Sequence, residues 1–169
     1  MTTNIPLELT RPLPADRVGA TGLSVTITAT ATECAAIAKR LMVPSVESLR
    51  CEWQLRTAPR GVIEADGSLH AKLHQDCIVT LEPFAVTLVE EFAVRFVPAG
   101  DEDEDADDPD NPDELPFDAG SFDLGEATVE QFALALDPYP RKPNAVLPPI
   151  DDDTPANPFD KLAKWRKPD

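Results

Sequence analysis

Apolar and polar residues alternate over long stretches in the first hundred residues. Residues 4–10 place Ile5, Leu7 and Leu9 on one face, and Pro6 removes a ladder donor, which suits an edge strand. Residues 22–29 set Leu23, Val25 and Ile27 against Ser24, Thr26 and Thr28, the period of a half-buried strand. The period then changes. Cys34, Ile37, Ala38 and Leu41 fall on one helical stripe, opened by Thr30 and Glu33 at capping-box spacing. Pro44 closes that helix by disfavouring helical geometry in Val43. Alternation resumes at 47–57, with Leu49, Cys51, Trp53 and Leu55 inward. Pro59-Arg60-Gly61 reads as a turn, and a short strand at 62–64 leads to Asp66-Gly67, a hairpin signal. Residues 68–79 form the return strand, with Leu69, Ala71, Leu73 and Cys77 inward. Leu81-Glu82-Pro83 breaks it, and 84–97 is a long strand with Phe92, Val94 and Phe96 on one face.

Consecutive strands and short turns predict antiparallel pairing. The fold class is α+β: an antiparallel meander-like sheet or partly closed barrel of about six strands, with about two to three helices. Residues 99–116 are acidic and Pro-containing and read as a disordered insert. Asp123 and Glu126 again have capping spacing, and Val129, Phe132, Ala133 and Leu136 predict a helix over 124–136. Residues 137–169 read as a Pro-rich extended segment ending in a short helix, with Asn157 as N-cap and Pro158 at the first helical position. The 169 residues fit a single domain.

Charge changes the picture. The net charge is −16, yet residues 101–114 alone hold ten carboxylates and no base. Without them the chain stands at −6, an ordinary surface balance. The acidity argues against coating nucleic acid by phosphate neutralisation, which needs clustered Lys and Arg. Lys161, Lys164, Arg166 and Lys167 form a small basic cluster that suits a helix C-terminus or a modest phosphate contact. The three cysteines lack CxxC spacing, so reduced thiols in a cytoplasmic protein are expected. Neither a secretory signal nor an apolar run near the ~20 residues of a membrane span is read from the chain.

Four blocks then stand out: Gln75-Asp76-Cys77-Ile78-Val79-Thr80-Leu81-Glu82-Pro83 followed by Glu90-Glu91-Phe92; Phe122-Asp123-Leu124-Gly125-Glu126; Leu134-Ala135-Leu136-Asp137-Pro138-Tyr139-Pro140-Arg141; and Asn157-Pro158-Phe159-Asp160-Lys161-Leu162. In this order and spacing the chain resembles the YceD family, the large ribosomal RNA subunit accumulation proteins. The resemblance implies a cytoplasmic factor needed for synthesis, processing or stability of large-subunit ribosomal RNA. The family's gene often neighbours one for a small large-subunit ribosomal protein, which makes that protein, or a pre-large-subunit particle, the expected partner. The family brings no established catalytic residues. Many members resemble one another in carrying a second cysteine three residues after the first, and more in the Pro-rich segment. Here Thr80 stands at the former place and 137–150 holds no cysteine, so no metal or redox role carries over.

The candidate interaction surface is Cys77, Thr80, Leu81, Glu82, Pro83, Glu91, Asn157, Pro158 and Phe159. Asp101, Glu102, Asp103, Glu104, Asp105, Asp107 and Asp108 form a candidate tract for a basic partner, which would make the protein an acidic holding chaperone for a basic large-subunit ribosomal protein. No catalytic or metal-binding set and no cofactor is expected. His70, His74 and Asp76 share one strand face while Cys77 takes the other, so they cannot converge on a metal. Cys77 has no base on its own face and reads as a small hydrophobe. No GxSxG, HExxH or phosphate-binding glycine loop occurs, so a nuclease or other RNA-processing enzyme is disfavoured. Contact with ribosomal RNA is expected to be weak or indirect, with no membrane and no DNA as partner.

Overall fold

The computed structural model describes residues 7–100, 112–118 and 120–147. Within them the alternating stretches become strands. β1 is Pro12–Pro14, β2 Leu23–Thr28, β3 Ser45–Thr57, β4 Ile63–Asp76, β5 Pro83–Pro98, β6 Asp113–Phe117 and β7 Ser121–Asp123; the helices are α1, Ala31–Arg40, and α2, Leu124–Ala135. β2, β3, β4 and β5 form an antiparallel meander, and β6 adds beside β5 as a parallel strand. The sheet is open rather than closed into a barrel. β1 and β7 make a separate two-stranded ribbon.

The inner face of the sheet carries Leu49, Cys51, Trp53, Leu55, Leu69, Ala71, Leu73, Val94 and Phe96, all buried. Burying such apolar area drives the folding. α1 packs its Cys34, Ile37 and Ala38 stripe onto this face beside β3. Its N-terminus has the expected capping box, with Glu33 N–H donating to Thr30 Oγ1 and Thr30 N–H to Glu33 Oε2. Arg11 adds an ion pair to Glu33 at 2.9 Å. α2 is capped by Asp123, whose Oδ1 accepts from the N–H of Gly125, Glu126 and Arg11. Gly125 lies so close to the Leu9 carbonyl that a Cβ there would stand 2.6 Å from it. The N-terminal segment thus threads over α2.

Trp53 sits at the centre. Its Nε1–H donates to Thr128 Oγ1 on α2 at 3.0 Å, and that hydroxyl donates onward to the Leu124 carbonyl at 2.7 Å. The Phe92 ring meets Trp53 edge-on at 5.1 Å.

Several expectations need correction. Asp66-Gly67 is no hairpin turn. It lies inside β4, and the chain reverses instead at Pro59–Gly61, where Arg60 and Gly61 take φ of 63° and 77°. Gly67 pairs with Phe92, whose ring occupies the space a side chain would fill. That glycine therefore serves packing rather than turning. Residues 7–10 form no strand, although Leu9 is fully buried; residues 4–6 lie outside the described residues. The insert ends earlier than 116, because residues 113–117 pair with residues 94–98 of β5. Ala133 faces solvent, and α2 instead buries Ala127, Thr128 and Gln131 beside Val129 and Phe132.

Gly67→Ala is expected to displace the Phe92 ring from Trp53 and to lower unfolding free energy by about 1–3 kcal/mol, read from denaturant titration. The Arg11 guanidinium, with the Thr30 N–H, holds the Glu33 carboxyl down to about 2. A lowered carboxylate stabilises the fold above its unfolded value, about 4.3, and that contribution fades as pH falls toward the folded one. Glu33→Gln should flatten the stability–pH curve between about pH 4.3 and 2.

Candidate functional site

β4 ends at Asp76, and the next residues fold into a tight turn before Pro83 opens β5. Leu81 N–H donates to the Cys77 carbonyl at 2.8 Å, and Cys77 N–H to the Glu82 carbonyl at 2.9 Å. Leu81 takes φ of 58° and is 80% exposed. A large apolar side chain held in the left-handed region and pushed into solvent is a costly arrangement for a mere connector.

The segment after α2 docks on this turn. Gln75 Nε2 donates to the Asp137 carbonyl at 3.2 Å, and Ile78 N–H donates to the Pro140 carbonyl at 2.9 Å. Lys142 N–H donates to Cys77 Sγ at 3.3 Å, while its Nζ pairs with Glu82 at 3.0 Å. Residues 137–142 are thus a structural partner of the turn. Sequence reasoning missed this docking, reading them as extended. The signal was the joint presence of the Gln75–Pro83 and Leu134–Arg141 blocks, which meet in space.

Cys77 is fully buried, as Cys34 and Cys51 are, but it lies outside the apolar core cluster that holds them. Burial pushes its thiol up. The Lys142 N–H, the Thr80 hydroxyl and the N–H groups of Thr80 and Val79 outweigh burial and bring it down to about 7. Burial instead pushes Cys51 up to about 12 and raises Cys34. The donors around sulfur set Cys77 apart from a simple small hydrophobe.

Apolar residues gather at this end of the molecule. Met42 is 90% exposed with φ of 54°, and Tyr139 is 71% exposed. Met42, Ile78, Leu136, Pro138 and Pro140 line a depression of about 370 Å³, with exposed Leu134 nearby on α2. Exposed apolar groups in one region mark interaction surfaces.

Glu91 does not join this site. It lies on the outer sheet face opposite Ser68, roughly 26 Å along β5 from Pro83 at ~3.3 Å per residue. There it lines a depression of about 570 Å³ with Glu52, Gln54, Asp66, Ser68 and Ala93. Arg50 neutralises Glu52, and Arg56 neutralises Asp66. On the same face His74 Nδ1 stands 3.0 Å from Ser45 Oγ, and His70 Nε2 stands 3.3 Å from Ser68 Oγ. Asn157, Pro158 and Phe159 lie outside the described residues, as do Asp101, Glu102, Asp103, Glu104, Asp105, Asp107 and Asp108.

A cysteine with a lowered folded-state pKa contributes stability that is complete above its unfolded value, about 8.5, and lost as pH falls through the folded one. Unfolding followed from about pH 6 to 9 should therefore show the native chain gaining on Cys77→Ser as pH rises. Thr80→Val should reduce that gain and raise the Cys77 pKa, read from the cysteine Cβ chemical shift.

The family model described as large ribosomal RNA subunit accumulation protein YceD matches residues 65–164, more than half the chain. Neither a curated protein nor a solved structure matches it. The matched span contains the Cys77 turn, the docked segment and α2. By that match the chain belongs to the YceD family, whose name links it to accumulation of large-subunit ribosomal RNA and so to ribosome biogenesis.

Proposed function

We propose that the protein is a non-enzymatic factor in large-subunit ribosomal RNA accumulation, and that it works in the cytoplasm through protein partners or a pre-large-subunit particle. The family membership carries the ribosomal part of this reading. The partition of charge supports the rest. Arg11, Arg40, Arg50, Arg56, Arg95 and Lys142 each sit in an ion pair with a carboxylate of this chain. Those cations are already engaged, and phosphate gripping needs them free. The exposed apolar end around Met42, Ile78, Leu81 and Tyr139 has instead the character of a protein-binding surface. No helix among the described residues is long and apolar enough to cross a membrane.

A holding chaperone for a basic large-subunit ribosomal protein is the second reading. The ten carboxylates of residues 101–114 favour it, since opposite charge speeds encounter and the effect fades with salt.

Deleting the gene should lower the ratio of large- to small-subunit ribosomal RNA, measured on total RNA. An unchanged ratio would remove the basis of the first reading. Pull-down of isolated large-subunit proteins in low and high salt, with and without residues 101–114, decides the second. It predicts loss of binding on deletion; undiminished binding refutes it.

A further inference from the structure

β5 is long and only partly covered. β4 pairs with it in an unbroken register, from Asp76 opposite Pro83 to Ile63 opposite Phe96. On the other side β6 pairs only with residues 94–98. Among the described residues no strand pairs with that side of residues 84–93. In an edge strand the backbone N–H and C=O groups that face away from the sheet are left unpaired. The stretch spans about 33 Å at ~3.3 Å per residue.

Exposed edges are ordinarily blunted by lysine, proline, a bulge, an inward charge or shortness. Residues 84–93 hold no lysine and no proline, and their register with β4 has no bulge. Phe84, Val86 and Leu88 lie half-buried on the inner face, and Val89 is 58% exposed on the outer. The charged side chains here are Glu90 on the inner face and Glu91 on the outer, both exposed. Asp113, also exposed, stands beside Val94 where the free edge ends. Two adjacent carboxylates block the edge selectively. They repel an acidic strand and attract a basic one.

We propose that the free edge of β5 takes up an extended strand of a basic protein by strand addition, with apolar side chains over Phe84, Val86 and Leu88 and a consecutive Lys or Arg pair beside Glu90 and Glu91. Main-chain hydrogen bonds supply affinity in this mode, and alternate side chains supply specificity. A second copy of this chain is the poorer occupant. Each copy carries a net charge of −16 and would bring its own Glu90 and Glu91 to the shared edge. The inference deepens the proposed function. It takes the partner's ribosomal identity from that reading, but not the partner's chemistry.

The test is amide hydrogen exchange on the full chain with a synthetic peptide of alternating Thr and Val ending in Lys-Arg, and with its Glu-Glu counterpart. The basic peptide should slow exchange of alternate amides in residues 84–93 and leave residues 95–98, already paired, unchanged. Its affinity for Glu90→Lys/Glu91→Lys should fall about tenfold or more. These carboxylates are exposed, so the fold should tolerate the reversal, checked by its unfolding midpoint. No protection, equal binding of both peptides, or edge amides already slow in the free chain would each overturn the inference. The last result would point to self-pairing if it varied with protein concentration, and to residues 148–169 if it vanished on their deletion. Isolated large-subunit ribosomal proteins then serve as a second probe. Binding without edge protection overturns the inference and spares the proposed function. If the peptide protects the edge but no ribosomal protein binds, the inference stands and the proposed partner falls.

Discussion

The Trp53 indole imposes the constraint on which the rest of the structure depends. A buried N–H must find a partner, and here the partner is Thr128 on α2. That bond sets the helix across the sheet, and the Leu124 carbonyl holds the Thr128 hydroxyl in turn. Phe92 reaches Trp53 only because Gly67 leaves room for its ring. The half of β5 beyond Phe92 is thereby drawn into the core, with Phe96 stacked on Phe122 at 4.3 Å. The half before Phe92 leads back to the Cys77 turn, with Val86 and Leu88 only partly buried against the core. Its inner face stays half-buried and one edge stays unpaired among the described residues. One anchored half and one open half follow from the same few packing contacts.

Alternation made most of the sheet legible, because a strand with one buried face must repeat every two residues. The Thr30–Glu33 capping box and the Asp123 cap were equally readable, since few residue types satisfy free backbone N–H groups. Gly67 misled because Asp-Gly suits a tight turn and also suits a site crossed by an aromatic ring. Only the register with Phe92 tells the two apart. β6 was hidden by its carboxylates and Pro116, although Leu115 and Phe117 already carried the period. Alternation placed Leu9 on one face of an edge strand, whereas the structure buries it without a strand, its carbonyl held close against Gly125. The surroundings of Cys77 were illegible, because Lys142 reaches its sulfur from 65 residues away.

The acidic insert has a structural reason for its length. β5 and β6 run parallel, and a parallel pair needs a crossover of roughly a dozen residues or more, which no tight turn provides. Its charge is a separate matter. The described fold engages much of its own positive charge internally and leaves Glu90, Glu91 and Asp113 without ion pairs among the described residues. Such a surface is complementary in charge to basic polypeptide rather than to phosphate. The family membership, for its part, ties the chain to accumulation of large-subunit ribosomal RNA.

Affinity purification of the full chain from growing cells, divided and treated or not with ribonuclease, tests the central claim most directly. A factor that works through protein contacts should keep its large-subunit ribosomal protein partners after the RNA has been digested. Release of every ribosomal protein on digestion, with ribosomal RNA the species bound in the untreated half, would contradict it.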